Sequence, residues 1–149
     1  MPERNVQEEK TKYSELIKTL IPINDLAPVF QNEVVNAGVI RAYKKKDFVF
    51  KQGDTDGLAF YLLEGQIELL SHNHVHSTIS SGTDSARYAL ARLQPRQFSA
   101  RAKANIMVLE LETRLLDRLM VTDQQARARE EADKGIEISH IDEQDSADW

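Results

Sequence analysis

At 149 residues, with 41% hydrophobic and 29% charged side chains, the chain is long enough for one core and too apolar to be disordered throughout. The absence of cysteine excludes disulfides and thiolate metal sites, and a net charge of −5 argues against a general nucleic-acid binder. No apolar run approaches the roughly 18 residues of a membrane span, and the opening MPERNVQEEK is not a signal peptide, so the expectation is a cytoplasmic protein that does not enter a membrane.

The first element expected is a helix in VQEEKTKYSELIKTL, with Tyr13, Leu16, Ile17 and Leu20 at helical spacing on one face. Pro22 stops it. NDLAPVFQNEVVNAG reads as a second short helix or a pair of turns ending at Gly38. The period then changes. VIRAYKKKDFVFKQGD alternates, with Val39, Phe48 and Phe50 apolar between polar neighbours, and closes in a Gly-Asp turn. AFYLLEGQIELLSH predicts two strands around a tight turn at Glu64-Gly65, and HNHVHSTISSGTDS a strand end running into a loop. Residues 100–111 predict two more short strands with Asn105 between them, and TRLLDRLM returns to helical spacing at Leu115, Leu116, Leu119 and Met120.

Helices bracketing many short strands predict a mainly β domain, an antiparallel barrel or jelly roll. The expected division is a helical segment over 1–20, the barrel with its following helix over 21–125, and an acidic extension over 126–149. Within that extension the pattern predicts helix as far as Gly135 and a short strand in IEISHID. The acidic end with Trp149 suggests a piece of a longer chain.

Charge is unevenly distributed. From Asp84 to Arg118 there are seven basic and four acidic residues, whereas Val121 to Trp149 carry nine acidic and three basic. The first stretch suits an anion and the second repels one. HNHVH puts His72, His74 and His76 on one face if extended, but no neighbouring carboxylate or thiol completes a metal set, so no metal is expected. KKK at 44–46, without interleaved aromatics, reads as a solvated turn. The residues 121–149 are too short and acidic for a DNA-docking helix-turn-helix, so no nucleic-acid partner is expected from this chain. No nucleophile, base and acid fall on elements that would converge, which predicts a non-enzyme with no catalytic residues.

FVFKQGDTDGLAFYLLEGQIEL, through Phe48, Phe50, Gly53, Asp54, Phe60, Tyr61, Leu62, Gly65 and Ile67, resembles the opening of a cyclic nucleotide-binding domain. PRQFSARAKANIMVLELE is similar, without gaps, to that family's phosphate-cassette arginine and the strands after it. The resemblance covers roughly residues 20–125. It implies a double-stranded β-helix jelly roll of the kind found in bacterial catabolite-activator-like sensors. The implied ligand is a cyclic nucleotide, cyclic AMP or cyclic GMP, whose arrival moves the helix after the barrel and so an attached output module or a homodimer partner.

The resemblance further implies a ligand site at Ala86, Arg87, Tyr88, Ala89, Arg96, Gln97 and Ser99. Arg96 is the matching phosphate arginine, whose planar fork suits a phosphate. Gln97 stands where the family has a small residue. The family's Gly-Glu pair falls on Ala86-Arg87, so a carboxylate that would accept from the ribose hydroxyl is replaced by a cation. Three readings stay open. Arg87 and Arg96 both hold a more anionic ligand such as a cyclic dinucleotide; or no small ligand binds and the domain is an interaction or dimerisation scaffold; or the loop is shifted and Asp84 supplies the acceptor.

Overall fold

The structure is a computed structural model that describes the backbone of residues 6–146 and the side chains of 7–133. Helix α1 (Val6–Lys18) leads through a 3-10 turn at Ile23–Asp25 to α2 (Pro28–Ala37), whose Pro28 occupies the first turn, where a missing N–H costs nothing. Tyr13, Ile17 and Leu20 are buried as the spacing predicts, but Leu16 is 36% exposed, because it sits a quarter-turn from that stripe.

Seven strands follow: β1 (Val39–Tyr43), β2 (Phe48–Phe50), β3 (Leu58–Glu64), β4 (Gln66–Ser71), β5 (His74–Ser80), β6 (Ser99–Ala102) and β7 (Ile106–Glu112). They form two antiparallel sheets, ordered β1-β7-β3 and β2-β6-β4-β5. The three-stranded sheet is sandwiched. Tyr61, Leu63, Leu109 and Leu111 face the helices, while Phe60, Leu62, Ile106 and Val108 face the other sheet with Phe50, Ile67 and Ala100. Burial on both faces is why LAFYLL and IMVLEL read as nearly continuous apolar runs rather than clean alternations. The architecture is the expected antiparallel jelly roll with flanking helices.

Val39 and Phe48, expected on the apolar side, are exposed at 43% and 39%, since each lies at the start of a strand beyond the covered area. HNHVHSTIS is not a strand end but the turn and full length of β5, paired along β4. His72 sits in that turn at φ +51 and so leaves the alternating register of His74 and His76.

Gly65 joins β3 to β4 at φ +104, and a Cβ there would lie 2.6 Å from Ile106 Cγ2 and 2.8 Å from the Asn105 carbonyl oxygen. Left-handed strain and a backbone clash add up, so Gly65→Ala is expected to cost about 2–4 kcal/mol. Chemical denaturation of the purified variant measures it.

The last element, α3 (Thr113–Ser146), is one helix through Gly135 and through IEISHID, where a strand was expected. A strand requires a neighbouring strand for its backbone groups; a helix satisfies its own. Leu116 and Leu119 join the core shared by the helices and the three-stranded sheet, with α3 lying against β7 and α2. Asp123, 4% exposed, accepts the Ala27 N–H at 3.0 Å at the start of α2 and pairs with Arg127 at 3.0 Å. Past Asp123 every side chain through Asp133 is exposed, although Arg127 still donates to the Asp25 carbonyl. Trp149 and its immediate neighbours lie outside the described residues.

Candidate functional site

The segment after β5, from a 3-10 turn at Asp84–Arg87 to the start of β6, carries all seven expected ligand residues. At its end Arg96 is 1% exposed and is the largest fully buried side chain among the described residues. A guanidinium has five N–H donors, and each one here has an acceptor. Nε donates to Asp56 Oδ2 at 3.2 Å, and Nη2 to Asp56 Oδ1 at 2.8 Å and to the Leu58 carbonyl at 2.5 Å. Nη1 donates to the carbonyls of Leu90 and Ala91 at 3.2 and 3.0 Å. The cation lies 4.1 Å from the Phe50 ring centroid and 5.4 Å from that of Phe60. Arg96 is thus charge-paired, hydrogen-bonded and stacked at once, which is what a buried cation requires.

Its main chain is fixed as well. The Gly53 N–H donates to the Arg96 carbonyl at 2.7 Å, and the Arg96 N–H to that of Asp54 at 2.8 Å. The Gly-Asp turn, with Gly53 at φ +92, therefore clasps the arginine segment from one side while Asp56 holds its head. Gln94 completes the clasp by donating to Asp56 Oδ1 and accepting the Asp56 N–H, both at 3.0 Å. Burial pushes the Asp56 carboxyl up. Hydrogen bonds from Arg96, the Leu58 amide and Gln94, with the charge of Arg96, outweigh that and hold it below its ordinary value. Ala91 takes φ +38, a region that is strained for a residue with a Cβ, with its carbonyl held by Arg96.

Arg87 faces elsewhere. Its Nε donates to the Thr19 carbonyl at 3.2 Å and its Nη1 lies 3.4 Å from Asp84, while its own carbonyl accepts the Ile21 N–H at 2.8 Å. It ties the turn to the chain leaving α1, where exposed carbonyls attract a cation. Asp84, the alternative acceptor, is 82% exposed and meets Arg87 only at 3.4 Å. Ala86 is buried, Tyr88 is half exposed, and Ala89 packs on the helical core. Gln97 is exposed, and Ser99 Oγ accepts the Gln52 N–H at 2.8 Å.

The seven residues do not converge on one void. Ala86 and Arg87 border a cavity of about 360 Å³ beside Leu16, Leu20 and Leu62. Tyr88 and Ala89 border a larger groove of about 720 Å³ that runs to Leu116 and Met120 on α3. Tyr61 lies under that groove, its hydroxyl donating to the Ile21 carbonyl at 2.8 Å and pushed up to about 12 by burial. Arg96, Gln97 and Ser99 line neither. Sequence reasoning missed Asp56 and Gln94; the available signal was that a buried arginine demands a carboxylate, and Asp56 follows the Gly-Asp turn.

Among the described residues no group of three or more His, Cys, Asp and Glu is placed to hold a metal ion, and no helix is long and apolar enough to cross a membrane. No curated protein matches the chain. Solved structures do. PfPKA-R bound to cAMP matches with a TM-score of 0.64 and 19% identity over 88% of this chain and 47% of that one. The regulatory subunit of a cAMP-independent protein kinase A from Trypanosoma cruzi, bound to guanosine, matches with a TM-score of 0.65 and 12% identity over 78% and 42%. The sensor domain of the transcriptional regulator DNR from Pseudomonas aeruginosa matches at 0.62 and 15% over 74% and 81%. At such identities these likenesses show a shared fold, and the chain spans about half the length of the first. The profile of the cyclic nucleotide-binding domain matches residues 40–123, more than half of the sequence. By that match, on a jelly roll whose Gly-Asp turn grips Arg96, this chain belongs to the cyclic nucleotide-binding domain family.

Proposed function

We propose that this member of a regulatory family works as an interaction module whose cassette does not take a cyclic phosphate through Arg96. The observation carrying this reading is the saturation of that guanidinium. All five donors already have protein acceptors, and a bidentate carboxylate neutralises the charge that a phosphate would otherwise meet. A ligand phosphate would have to displace Asp56 or two backbone carbonyls, each then left without its donor, and such losses cost about 1–3 kcal/mol apiece. The ribose contact is missing too, because Arg87 replaces the glutamate of the family pattern and is engaged with Thr19 and Asp84. In this reading the segment is a brace that holds α1, the sandwich and α3 in one arrangement, and α3 presents the exposed output surface.

A second reading has one observation in its favour. The cavity beside Ala86 and Arg87 is large enough for a small organic molecule, and the Trypanosoma cruzi relative is described as bound to guanosine, which has no phosphate. A nucleoside would not need Arg96.

Thermal shift separates them, since a ligand that binds only the folded state raises its stability by RT ln(1 + [L]/Kd). The expected result is no rise in Tm with cyclic AMP, cyclic GMP, cyclic di-AMP, cyclic di-GMP or guanosine at about 1 mM. A rise with a cyclic nucleotide returns the chain to the sensor class, with cyclic AMP or cyclic GMP as its regulator. A rise with guanosine alone favours the nucleoside reading.

A further inference from the structure

Away from the cassette, two turns are sewn together at the end of the four-stranded sheet. The Lys46 N–H donates to the Ala102 carbonyl at 2.8 Å, the Ala102 N–H to that of Asp47 at 2.8 Å, and the Lys45 N–H to Asn105 Oδ1 at 3.2 Å. This fixes Lys45 and Lys46 on one side, and Lys103 on the other, of a concave site of about 290 Å³. The only carboxylate lining it, Glu68, is committed to Arg101 at 2.7 Å. Among the described residues no acidic group lies within ion-pair distance of the three lysines. Three exposed lysines line this one hollow, and the Asp47 carboxylate of the same turn is taken by the Lys44 N–H at 2.9 Å.

The second observation is backbone strain. Lys46 sits at φ +80 in the turn closed by the Asp47 N–H on the Lys44 carbonyl, a position that glycine fills without cost. A side chain with a Cβ in that region costs roughly 1–2 kcal/mol. A strained lysine is a violation of local preference, and such violations concentrate at functional sites. The third is Phe48, 39% exposed on the same hollow, with Lys51 Nζ 5.4 Å from its ring centroid. A flat exposed ring beside clustered cations recognises a flat group that carries clustered negative charge.

The geometry points to a second, unassigned site for a nucleoside di- or triphosphate, with the base on Phe48 and the phosphates among Lys45, Lys46 and Lys103. A phosphate chain concentrates its charge on the scale of this hollow, whereas an acidic peptide spreads single charges along its length. A long nucleic acid would need a basic track well beyond this hollow, and residues 1–120 together carry a net charge of only +1. The site is independent of the cassette and of the function proposed for it.

The test is isothermal titration of the full-length chain with ATP and with inorganic triphosphate, alongside thermal unfolding. ATP is expected to bind with a sub-millimolar Kd at low salt and to weaken as salt rises, because exposed charges are screened. Lys46→Gly should weaken both ligands about two- to fivefold, the worth of one exposed charge contact. Its Tm should hold or rise, because glycine relieves the strain. Phe48→Ala should weaken ATP and leave triphosphate unchanged. The proposal is overturned if neither ligand binds at about 5 mM, if Lys46→Gly binds both as well as the parent, or if Phe48→Ala fails to separate ATP from triphosphate.

Discussion

Asp56→Ala is expected to destabilise the domain by about 3–5 kcal/mol, because it leaves the buried Arg96 cation without its counter-charge. Arg96→Ala should fall in the same range. It removes the charge but strands Asp56 and three carbonyls, and opens a void between Phe50 and Phe60. For a domain of this size, whose total stability is of order 5–15 kcal/mol, either change approaches unfolding at ambient temperature. The informative comparison is the pair Asp56→Leu with Arg96→Met. Apolar side chains of similar volume often replace a buried ion pair at little cost, so the double variant should be more stable than the sum of the single losses allows. Urea titrations of the two single variants and the double complete the cycle. Additive losses would mean that the two side chains do not act as a pair.

The same pair sets an acid limit. The folded-state pKa of Asp56 lies below its ordinary value of about 4, so its contribution is fully present above the unfolded value and is lost as pH falls through the folded one. Stability should therefore drop below about pH 4, and the drop should be shallower in the Asp56→Leu/Arg96→Met variant.

Leu119→Ala is the second change with a large expected effect. Leu119 is fully buried in the core shared by the helices and the three-stranded sheet, and truncating such a leucine costs about 2–5 kcal/mol according to how far the cavity collapses. The loss should be local in kind. Amide exchange is expected to accelerate over α3 and over α2, whose preceding residue Ala27 has its N–H held by Asp123, more than over β3 and β7. Uniform acceleration across the sheets would instead mean that α3 and the jelly roll unfold as one unit.

Much of the fold was legible because the relevant signals are local. The periods around Tyr13, Ile17 and Leu20, the glycine at 65 and the break at Asn105 each follow from side-chain spacing or turn chemistry within a few residues. The errors fell where a distant neighbour decides. IEISHID alternates, yet no strand pairs with it and the helix continues. Val39 and Phe48 are apolar but lie where no layer covers them. HNHVH shows its His spacing in one dimension, and the turn at His72 removes the first from the register.

By itself the sequence determined a jelly roll bracketed by helices and the family to which it belongs. The resemblance implied Arg96 as a phosphate arginine and put a cation, Arg87, at the position of the ribose acceptor. Only the tertiary structure decided what those two arginines touch. The Gly-Asp turn lies about forty residues before Arg96, and α1 about seventy before Arg87. No local pattern records that Asp56 folds over one and the end of α1 over the other. A guanidinium looks the same in a sequence whether its five donors await a ligand or are already held. That depends on which carbonyls and carboxylates the packing brings within 3 Å, and hydrogen bonds of that kind are properties of the folded chain alone.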